Sequence, residues 1–244
     1  MPKPCVQKKD DALILHFQTR ALQSQMSLSD PSRLVLDYTR TMMGFLLFVP
    51  EPKKIAMIGL GGGSIAKYCK AYLPEAAFTA VDISPEVIAL RKTFQIPDDD
   101  ERFSILCQNG AFFMEEAALL PDKEKYNVIL VDGFDEGGQP PDLANRAFYQ
   151  DAFAALKTGG VLVVNYCADT ADYKKAYSHL KNVFSHKTLL ITAEDGANEI
   201  AFASRAKNFP PNAKVLKERL SVLEKTHEVD LFQTSLSILN APIY

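Results

Sequence analysis

Two aspartates, Asp132 and Asp135, stand three residues apart on a glycine-rich stretch of the sequence. They follow the apolar run 128–131, which is typical of a buried strand, and in open α/β sheets ligands bind beyond the carboxyl ends of the strands. Two carboxylates at such an edge form an anionic site that suits an amine substrate. An alkylammonium group has a pKa of about 10 and becomes nucleophilic only when it loses a proton. One carboxylate can accept that proton while the other anchors the charge; the plainer alternative is a solvated acidic loop that caps the next helix.

A glycine cluster at 59–63 separates a predicted strand from a predicted helix. Glycine is needed where the backbone turns sharply and approaches a ligand without a Cβ in the way. Asp82 ends the next predicted strand, 23 residues after Gly59, where an acidic side chain can accept both ribose hydroxyls of a nucleoside. Asn109 and Gly110 follow the third strand and are placed to face an adenine edge.

The glycine turn and the polar residues after it also allow plainer interpretations. The turn can serve only to pack a helix on the sheet, with Asp82 as a surface turn residue and Asn109 as a turn residue that tolerates positive φ. The order Gly-Leu-Gly-Gly-Gly-Ser departs from the G-x-G-x-x-G of a pyrophosphate site, but the loop alone does not exclude NAD.

The elements that must position these residues alternate between strand and helix. Short apolar runs predict strands at 55–58, 77–81, 103–107, 128–131 and 161–164. Helical spacing predicts helices at 64–73, 85–94, 111–120, 146–156 and 171–184. A hairpin is predicted from 188–192 and 199–203, and a last helix at 213–227. This alternation is typical of an α/β fold with a doubly wound, mostly parallel sheet that helices cover on both faces.

The first 50 residues differ from the rest because they are short of glycine and carry two β-like runs, 12–17 and 21–28. Asp30-Pro31 predicts the opening of a helix, with the aspartate as N-cap and the proline at the first helical position. We therefore expect a small N-terminal β-segment plus helix at 1–50 and a nucleoside-binding α/β domain at 51–244.

The composition is that of an ordinary globular protein, with 244 residues, 47% hydrophobic and 23% charged. It excludes a disordered chain, a collagen and a disulfide-stapled miniprotein. The net charge of −3 provides no basic field for nucleic acid or anionic lipid, and the longest apolar stretch, around 42–49, is too short to span a bilayer. No secretory leader opens the chain and the four scattered cysteines lack metal spacing, so we expect a cytoplasmic protein with reduced thiols and no metal.

Taken together, the residues from about 12 to 204 resemble the spermidine synthase (polyamine aminopropyltransferase) family. The resemblance implies a small N-terminal β-domain followed by a doubly wound Rossmann domain of the kind found in S-adenosylmethionine (AdoMet)-dependent methyltransferases. It also implies transfer of an aminopropyl group from decarboxylated AdoMet to a diamine such as putrescine, which yields spermidine and methylthioadenosine. We expect a homodimer; the leucine stripe of the last predicted helix, defined as Leu216, Leu220 and Leu223, either packs on the sheet or forms the dimer contact.

The resemblance implies a role for each candidate residue. Asp132 matches the general base, Tyr38 the tyrosine that orients the attacking amine, and Asp135 the aspartate that binds the distal amine. Gln23 resembles the glutamine that closes the N-terminal β-segment over the active site. Gly59, Gly61 and Gly63 match the donor-binding glycine loop, in which Gly62 also lies. Asp82 matches the position that binds the ribose. Asn109 and Gly110 stand where the family usually has Asp-Gly facing adenine.

Two segments depart from the family pattern. The family's glycine loop usually carries an aspartate where this chain has Gly62; that aspartate holds the amine of the aminopropyl group and repels the carboxylate of ordinary AdoMet. Its absence removes a charge-assisted contact worth roughly 1.5–3 kcal/mol. The family's Pro-Thr-Tyr-Pro-Ser-Gly segment is replaced by 192–197, which removes a substrate tyrosine, and Glu194 or Asp195 can substitute for either lost group.

Three functions stay open on the sequence. The first is an aminopropyltransferase. The second is an AdoMet-dependent methyltransferase on the same scaffold, for which Gly62 leaves room for the methionine carboxylate, although methyl transfer does not require the set Asp132, Asp135 and Tyr38. The third is a nucleoside-binding protein without catalysis.

Overall fold

The computed structural model of the protein describes four ranges of the chain, residues 3–17, 22–134, 138–169 and 172–242. They form two β-sheets and the helices that connect and cover them. Within these four ranges, no helix is long and apolar enough to cross a membrane.

The smaller sheet is antiparallel and consists of β1 (Cys5–Lys9), β2 (Ala12–His16) and β3 (Leu22–Ser27). β2 and β3 correspond to the two expected β-like runs, whereas β1 was not predicted. All side chains of β1 are exposed, so it lacks the alternating apolar pattern by which a half-buried strand is recognised. Leu15 and Met26 of this sheet are buried in the same hydrophobic cluster as one face of the main sheet. The boundary near residue 50 stays a prediction.

The main sheet contains seven strands in the described part of the chain. They are β4 (Lys54–Ile58), β5 (Ala77–Asp82), β6 (Phe103–Cys107), β7 (Tyr126–Val131), β8 (Leu156–Cys167), β9 (Thr188–Thr192) and β10 (Asn198–Ser204). Their order is β6-β5-β4-β7-β8-β10-β9; the first five are parallel, and β10 is antiparallel to both of its neighbours. The predicted doubly wound, mostly parallel sheet is confirmed. The order reverses at β4, which is the switch point where such sheets bind ligands.

Helices connect the strands and cover both faces. The described helices are α1 (Asp37–Met42), a 3₁₀ turn (Met43–Leu47), α2 (Ser64–Tyr72), α3 (Pro85–Ala89), α4 (Gly110–Ala118), a second 3₁₀ turn (Asp122–Glu124), α5 (Pro141–Ala144), α6 (Arg146–Ala155), α7 (Tyr173–Val183), α8 (Ala213–Thr226) and α9 (Phe232–Asn240). Side chains of α1, α2, α8 and α9 share one hydrophobic cluster, and those of α4, α6 and α7 share the other.

The strand residues alternate between these two clusters. In β4, Ile55 and Met57 pack on the face covered by α2, whereas Ala56 and Ile58 pack on the face covered by α4 and α6. Because both faces are covered, the strand is apolar at successive positions, which is why periodicity and length identified it from the sequence. The leucine stripe of α8 is buried in the first cluster, so it packs inside the chain and is not available for a dimer contact.

The predicted helix opening at Asp30-Pro31 is wrong, because α1 begins only at Asp37. The Asp30 carboxylate accepts the N–H of Ser32, two residues on, at 3.3 Å. The Asp11 carboxylate accepts hydrogen bonds from both the N–H and the hydroxyl of Ser29 at 2.9 and 2.7 Å. These side-chain contacts provide the backbone with turn partners in place of helical ones.

The second predicted helix is correct at its start and wrong at its end. The Ser84 hydroxyl accepts the N–H of Val87 at 3.2 Å, as an N-cap does. α3 nevertheless ends at Ala89 instead of residue 94. The chain continues as turns to Gln95, which has a φ of +53°.

Two predictions in the second half of the chain are also wrong. The strand predicted at 161–164 begins five residues earlier than expected, because β8 starts at Leu156 directly after α6. The helix at 213–227 is not the last one, because α9 follows it. α9 buries only Thr234, Ser235 and Ile238, so it has little apolar periodicity by which to recognise it.

The ends of β4 and β7 approach each other closely at the switch point. The Asp132 N–H donates to the backbone oxygen of Ile58, and the Gly59 N–H donates to the backbone oxygen of Val81, both at 2.8 Å. Gly59 has a φ of +93°, and a Cβ on it would lie 2.2 Å from the backbone oxygen of Asp132. Glycine is therefore required here, for its conformation and for the missing side chain.

We expect Gly59→Ala to lower the free energy of unfolding by at least about 2 kcal/mol, because the new Cβ overlaps a backbone carbonyl held by strand pairing. Urea denaturation measures this change. Gly159→Ala is the matched control, since Gly159 has a φ of +81° but nothing within 4 Å of the added Cβ. It isolates the backbone strain, about 1–2 kcal/mol. Equal losses in the two variants would contradict a close approach at Gly59.

Candidate active site

A cavity of about 660 Å³ lies where the carboxyl ends of the parallel strands meet. Its volume is in the range of about 300–1,000 Å³ that is typical of small-molecule sites. Residues at or after the ends of β4 to β8 line it, and residues of β2, β3 and α1 complete the wall. It brings together most of the residues predicted from the sequence, namely Gln23, Tyr38, Gly59, Gly61, Asp82, Asn109, Gly110 and Asp132.

Asp132 follows β7 and is half-buried in the cavity wall. Its Oδ1 accepts a hydrogen bond of 2.8 Å from Nδ2 of Asn165, and its carboxylate also accepts one from the Tyr38 hydroxyl. Removal from water raises the pKa of Asp132 to about 6, although both hydrogen bonds act to lower it. Such a carboxylate is ionised at neutral pH and holds a proton more firmly than an exposed aspartate, as a general base requires.

Tyr38 on α1 brings a phenol to this carboxylate. Its hydroxyl lies 3.4 Å from the backbone oxygen of Gln23 in β3, so the phenol links α1, β3 and the end of β7. Burial, and then the negative charge of Asp132, raise the pKa of Tyr38 well above its ordinary value. The phenol therefore keeps its proton and acts as a hydrogen-bond donor.

Asp82 ends β5, and backbone N–H groups hold its carboxylate. Oδ2 accepts the N–H of Leu60, and Oδ1 accepts the N–H of Ser84, each at 2.9 Å. Burial raises the pKa of Asp82, while the backbone hydrogen bonds oppose that rise. The carboxylate is thus oriented beside the glycine turn. Because its two oxygens offer about four acceptor directions, it can also accept ribose hydroxyls.

Asn109 caps α4 at the end of β6. Its Oδ1 accepts the N–H groups of Ala111 and Phe112 at 2.8 and 3.3 Å. Its φ is −67°, so the alternative of a positive-φ turn residue is wrong. With Oδ1 engaged in the cap, the amide NH₂ is the group that this side chain can present to a ligand. A Cβ on the neighbouring Gly110 would lie 2.3 Å from the Ile58 side chain, so the backbone packs directly on the end of β4.

Gly62 and Gly63 are buried beside the cavity and are not among the described residues that line it. A Cβ on Gly62 would lie 2.6 Å from the Ser24 hydroxyl and 3.0 Å from the ring of Phe94. A Cβ on Gly63 would lie 2.5 Å from the Ile96 side chain. The space next to Gly62 is therefore filled by a side chain from β3. Ligand contact by these two glycines stays a prediction.

The charged residues in the described part of the cavity lining are all aspartates. Among the described residues of its lining there is no Lys, Arg or His. Asp82 and Asp132 are half-buried, whereas Asp142, Asp169 and Asp195 are exposed. The cavity thus presents a negative field, which favours cationic groups such as an ammonium or a sulfonium.

The sequence profile of the spermine/spermidine synthase domain matches residues 36–200 of this chain, which include the glycine turn, Asp82 and Asp132. The polyamine aminopropyltransferase of Neisseria meningitidis serogroup A is 36% identical over 98% of this chain and 90% of its own length. The chain belongs to the spermine/spermidine synthase family. It is thus a member of a transferase family.

Solved structures share the fold of this family member. A spermidine synthase in complex with the transition-state analogue AdoDATO superposes with a TM-score of 0.71 at 21% identity, over 98% of this chain and 86% of that one. Human methyltransferase-like protein 13 in complex with SAH superposes with a TM-score of 0.70 at 22% identity, over 78% and 92%. These likenesses confirm the methyltransferase-type α/β fold that the resemblance implied.

Several polar residues that line the cavity were not predicted from the sequence. They are Ser24, Asp142, Asn165, Asp169 and Asn198. Asn165 follows the apolar run 161–164 near the end of β8, and a polar residue at that position of a buried strand is a signal that sequence reading can use. Asn198 carries no such signal, because its place in the cavity depends on the pairing of β10 with β8.

The other predicted residues have separate outcomes. Asp135 lies outside the described residues, so its role stays a prediction. Asp195, in the turn between β9 and β10, lines the cavity, whereas Glu194 is not among the described lining residues. Within the described ranges, no group of three or more His, Cys, Asp or Glu side chains is arranged to hold a metal ion.

We expect Asp132→Asn to stabilise the fold at pH 8. A carboxyl pKa raised from 3.8 to about 6 makes ionisation costly in the folded state; the cost is full above pH 6 and is lost as the pH falls towards 3.8. Urea denaturation is expected to show a gain of about 2–3 kcal/mol at pH 8 and under about 1 kcal/mol at pH 4. Asp98→Asn is the control, since Asp98 is exposed and outside the described cavity lining. A gain that is independent of pH would contradict the raised pKa.

Proposed function

We propose that this protein transfers an aminopropyl group from decarboxylated AdoMet to a diamine such as putrescine, which yields spermidine and methylthioadenosine. The observation that carries the proposal is the cavity at the switch point, where Asp132 meets Tyr38 and the charged residues of the described lining are aspartates. Membership of the spermine/spermidine synthase family and the name of the Neisseria relative support the same reaction.

Asp132 is the general base in this proposal. The ammonium group of the diamine first passes a proton to the Asp132 carboxylate and becomes a neutral amine. The amine nitrogen then forms a bond to the donor carbon next to the sulfonium as the carbon–sulfur bond breaks. The electron pair of the broken bond goes to sulfur. An alkylammonium has a pKa of about 10 and is therefore protonated at neutral pH. Asp132, with a pKa of about 6, is ionised at neutral pH and can accept the proton. Tyr38, which donates to the same carboxylate, orients it towards the amine.

The donor half of the cavity lies around the ends of β4, β5 and β6. Asp82, held by the N–H groups of Leu60 and Ser84, is proposed to accept the ribose hydroxyls. Asn109 and Gly110, which line the cavity, are proposed to face the adenine. The glycine turn lets the backbone approach the nucleoside without a side chain between them.

The charge of the lining favours the decarboxylated donor over ordinary AdoMet. The methionine carboxylate of AdoMet would enter a cavity whose described lining offers aspartates and no basic partner. A like charge that is taken out of water without a partner costs several kcal/mol. Ser24 occupies the space beside Gly62, where the sequence was expected to leave room for that carboxylate.

The acceptor half is proposed to lie around Asp132. Asp135, three residues further along the chain, is proposed to bind the distal ammonium of the diamine. Gln23 from β3 lines the cavity and is proposed to close it over the amine. Exclusion of water by this strand strengthens the attraction between carboxylate and ammonium.

Incubation of the pure protein with each donor and a panel of diamines and polyamines tests the reaction, with products identified by mass. Decarboxylated AdoMet and putrescine are expected to give spermidine and methylthioadenosine, and ordinary AdoMet to give no transfer. S-adenosylhomocysteine as a product would establish a methyltransferase instead. Donor binding without any product would favour a nucleoside-binding protein.

Asp135→Asn is expected to raise the KM for the diamine by about 10-fold or more, with the KM for the donor changed less than about twofold, because one charge-assisted contact to the distal ammonium is lost. Steady-state kinetics with each substrate varied in turn measure the two constants. Asp98→Asn serves as the charge-matched control. A similar rise in both KM values would contradict a role confined to the amine.

A further inference from the structure

Asn165 is a buried amide whose two ends are both engaged within the protein. It lies on β8 with 2% of its surface exposed, at the cavity wall. Its Nδ2 donates to Oδ1 of Asp132 at 2.8 Å, and its Oδ1 accepts from Nδ2 of Asn198 at 2.9 Å. A side chain with both ends committed in this way is better suited to hold a neighbour than to bind a substrate.

Asn198 determines which end of Asn165 faces the carboxylate. It lies on β10, which pairs with β8, and its Nδ2 also lies 3.5 Å from the backbone oxygen of Tyr166. A donor at this position requires the amide oxygen of Asn165 to point towards it. The NH₂ group of Asn165 therefore points towards Asp132; the opposite orientation would place an amide oxygen against a carboxylate oxygen.

We propose that Asn198 and Asn165 form a positioning relay for Asp132, in which two oriented amides hold Oδ1 of the carboxylate and leave its other acceptor directions to Tyr38 and the incoming amine. The inference rests on the proposed function, because it assigns Asp132 as the base. Asn165 and Asn198 act through Asp132 and are positioning residues.

The surroundings of Asp132 show why a neutral donor matters there. Tyr38 from α1 and Asn165 from β8 donate to its carboxylate. The other charged residues of the described lining are also aspartates: Asp82, Asp142, Asp169 and Asp195. With no described cation in the lining, the two neutral donors oppose the effect of burial on the Asp132 pKa.

The relay also links Asp132 to β10, the second strand from the edge of the sheet. Asn198 lies at the start of β10, just after the β9–β10 turn that carries Asp195 into the cavity. Asn198 of β10 therefore lines the cavity and also donates the hydrogen bond that orients the Asn165 amide beside Asp132. Two hydrogen bonds therefore connect the first residue of β10 to Asp132.

Asn165→Leu removes the donor and keeps the site filled. We expect kcat to fall about 10- to 100-fold, as expected for a lost hydrogen bond to a charged group, with the KM for the donor within about twofold. The acid limb of the pH–kcat profile is expected to move up by roughly 1–2 pH units. Asn198→Ala leaves Asn165 in place and is expected to lower kcat about 2- to 10-fold with a shift in the same direction. Asn182→Ala, an exposed asparagine on α7, is the control.

A titration of the Asp132 carboxyl carbon by ¹³C NMR tests the relay without turnover, with the signal assigned by its loss in Asp132→Asn. Its pKa is expected to rise in Asn165→Leu and, by less, in Asn198→Ala. A protein that forms no spermidine but shows these shifts would refute the proposed function and keep the relay. Active variants with an unchanged carboxyl titration and an unchanged pH profile would refute the relay. A loss of kcat that is accompanied only by a lower unfolding temperature, without either shift, would refute it as well. Should Asn165→Leu not fold, Asn198→Ala decides between the outcomes.

Discussion

The site depends on keeping one half-buried carboxylate where the carboxyl ends of two adjacent parallel strands approach each other. The Asp132 N–H extends the pairing of β7 with β4, and Gly59, without a Cβ, lets the Asp132 backbone close on the turn. The side chain is thereby directed into the crevice of the sheet. An ionised carboxylate in such a place destabilises the fold, and the donors Tyr38 and Asn165 reduce that cost without removing it. α1, β3 and β8 are arranged around this requirement.

The same constraint explains the charge of the cavity. The described lining carries aspartates, and no described basic side chain of the lining offsets their charge. A cationic ligand is therefore attracted by the field of the lining when it binds. Both substrates of an aminopropyl transfer carry positive charge, and each gains from the same lining. Catalysis and ligand choice therefore follow from one electrostatic feature.

Much of the fold was predictable because most of the parallel strands are short, apolar and followed by a turn. β4, β5 and β7 were predicted to within two residues, and the positions of Gly59, Asp82 and Asp132 at their carboxyl ends followed from these strands. The turn at Asp30 was wrongly predicted to be the start of a helix, because an Asx turn and a helix N-cap use the same residue types. Asn198 lies beyond local reasoning, since only the register of β10 on β8 places it near Asn165. Local patterns predict elements; they do not predict side-chain contacts between distant strands.

The departure at Gly62 shows how a missing family residue can mislead. From the sequence, the lost aspartate removes a contact to the donor and opens space for a carboxylate. The structure fills that space with Ser24, which comes from another sheet, and the surrounding lining keeps its negative charge through other aspartates. Under the proposed function, discrimination against a carboxylate depends on the total field of the cavity rather than on one position. The change at Gly62 alone then does not decide the donor, because the aspartates proposed to compensate for it lie elsewhere in the sequence.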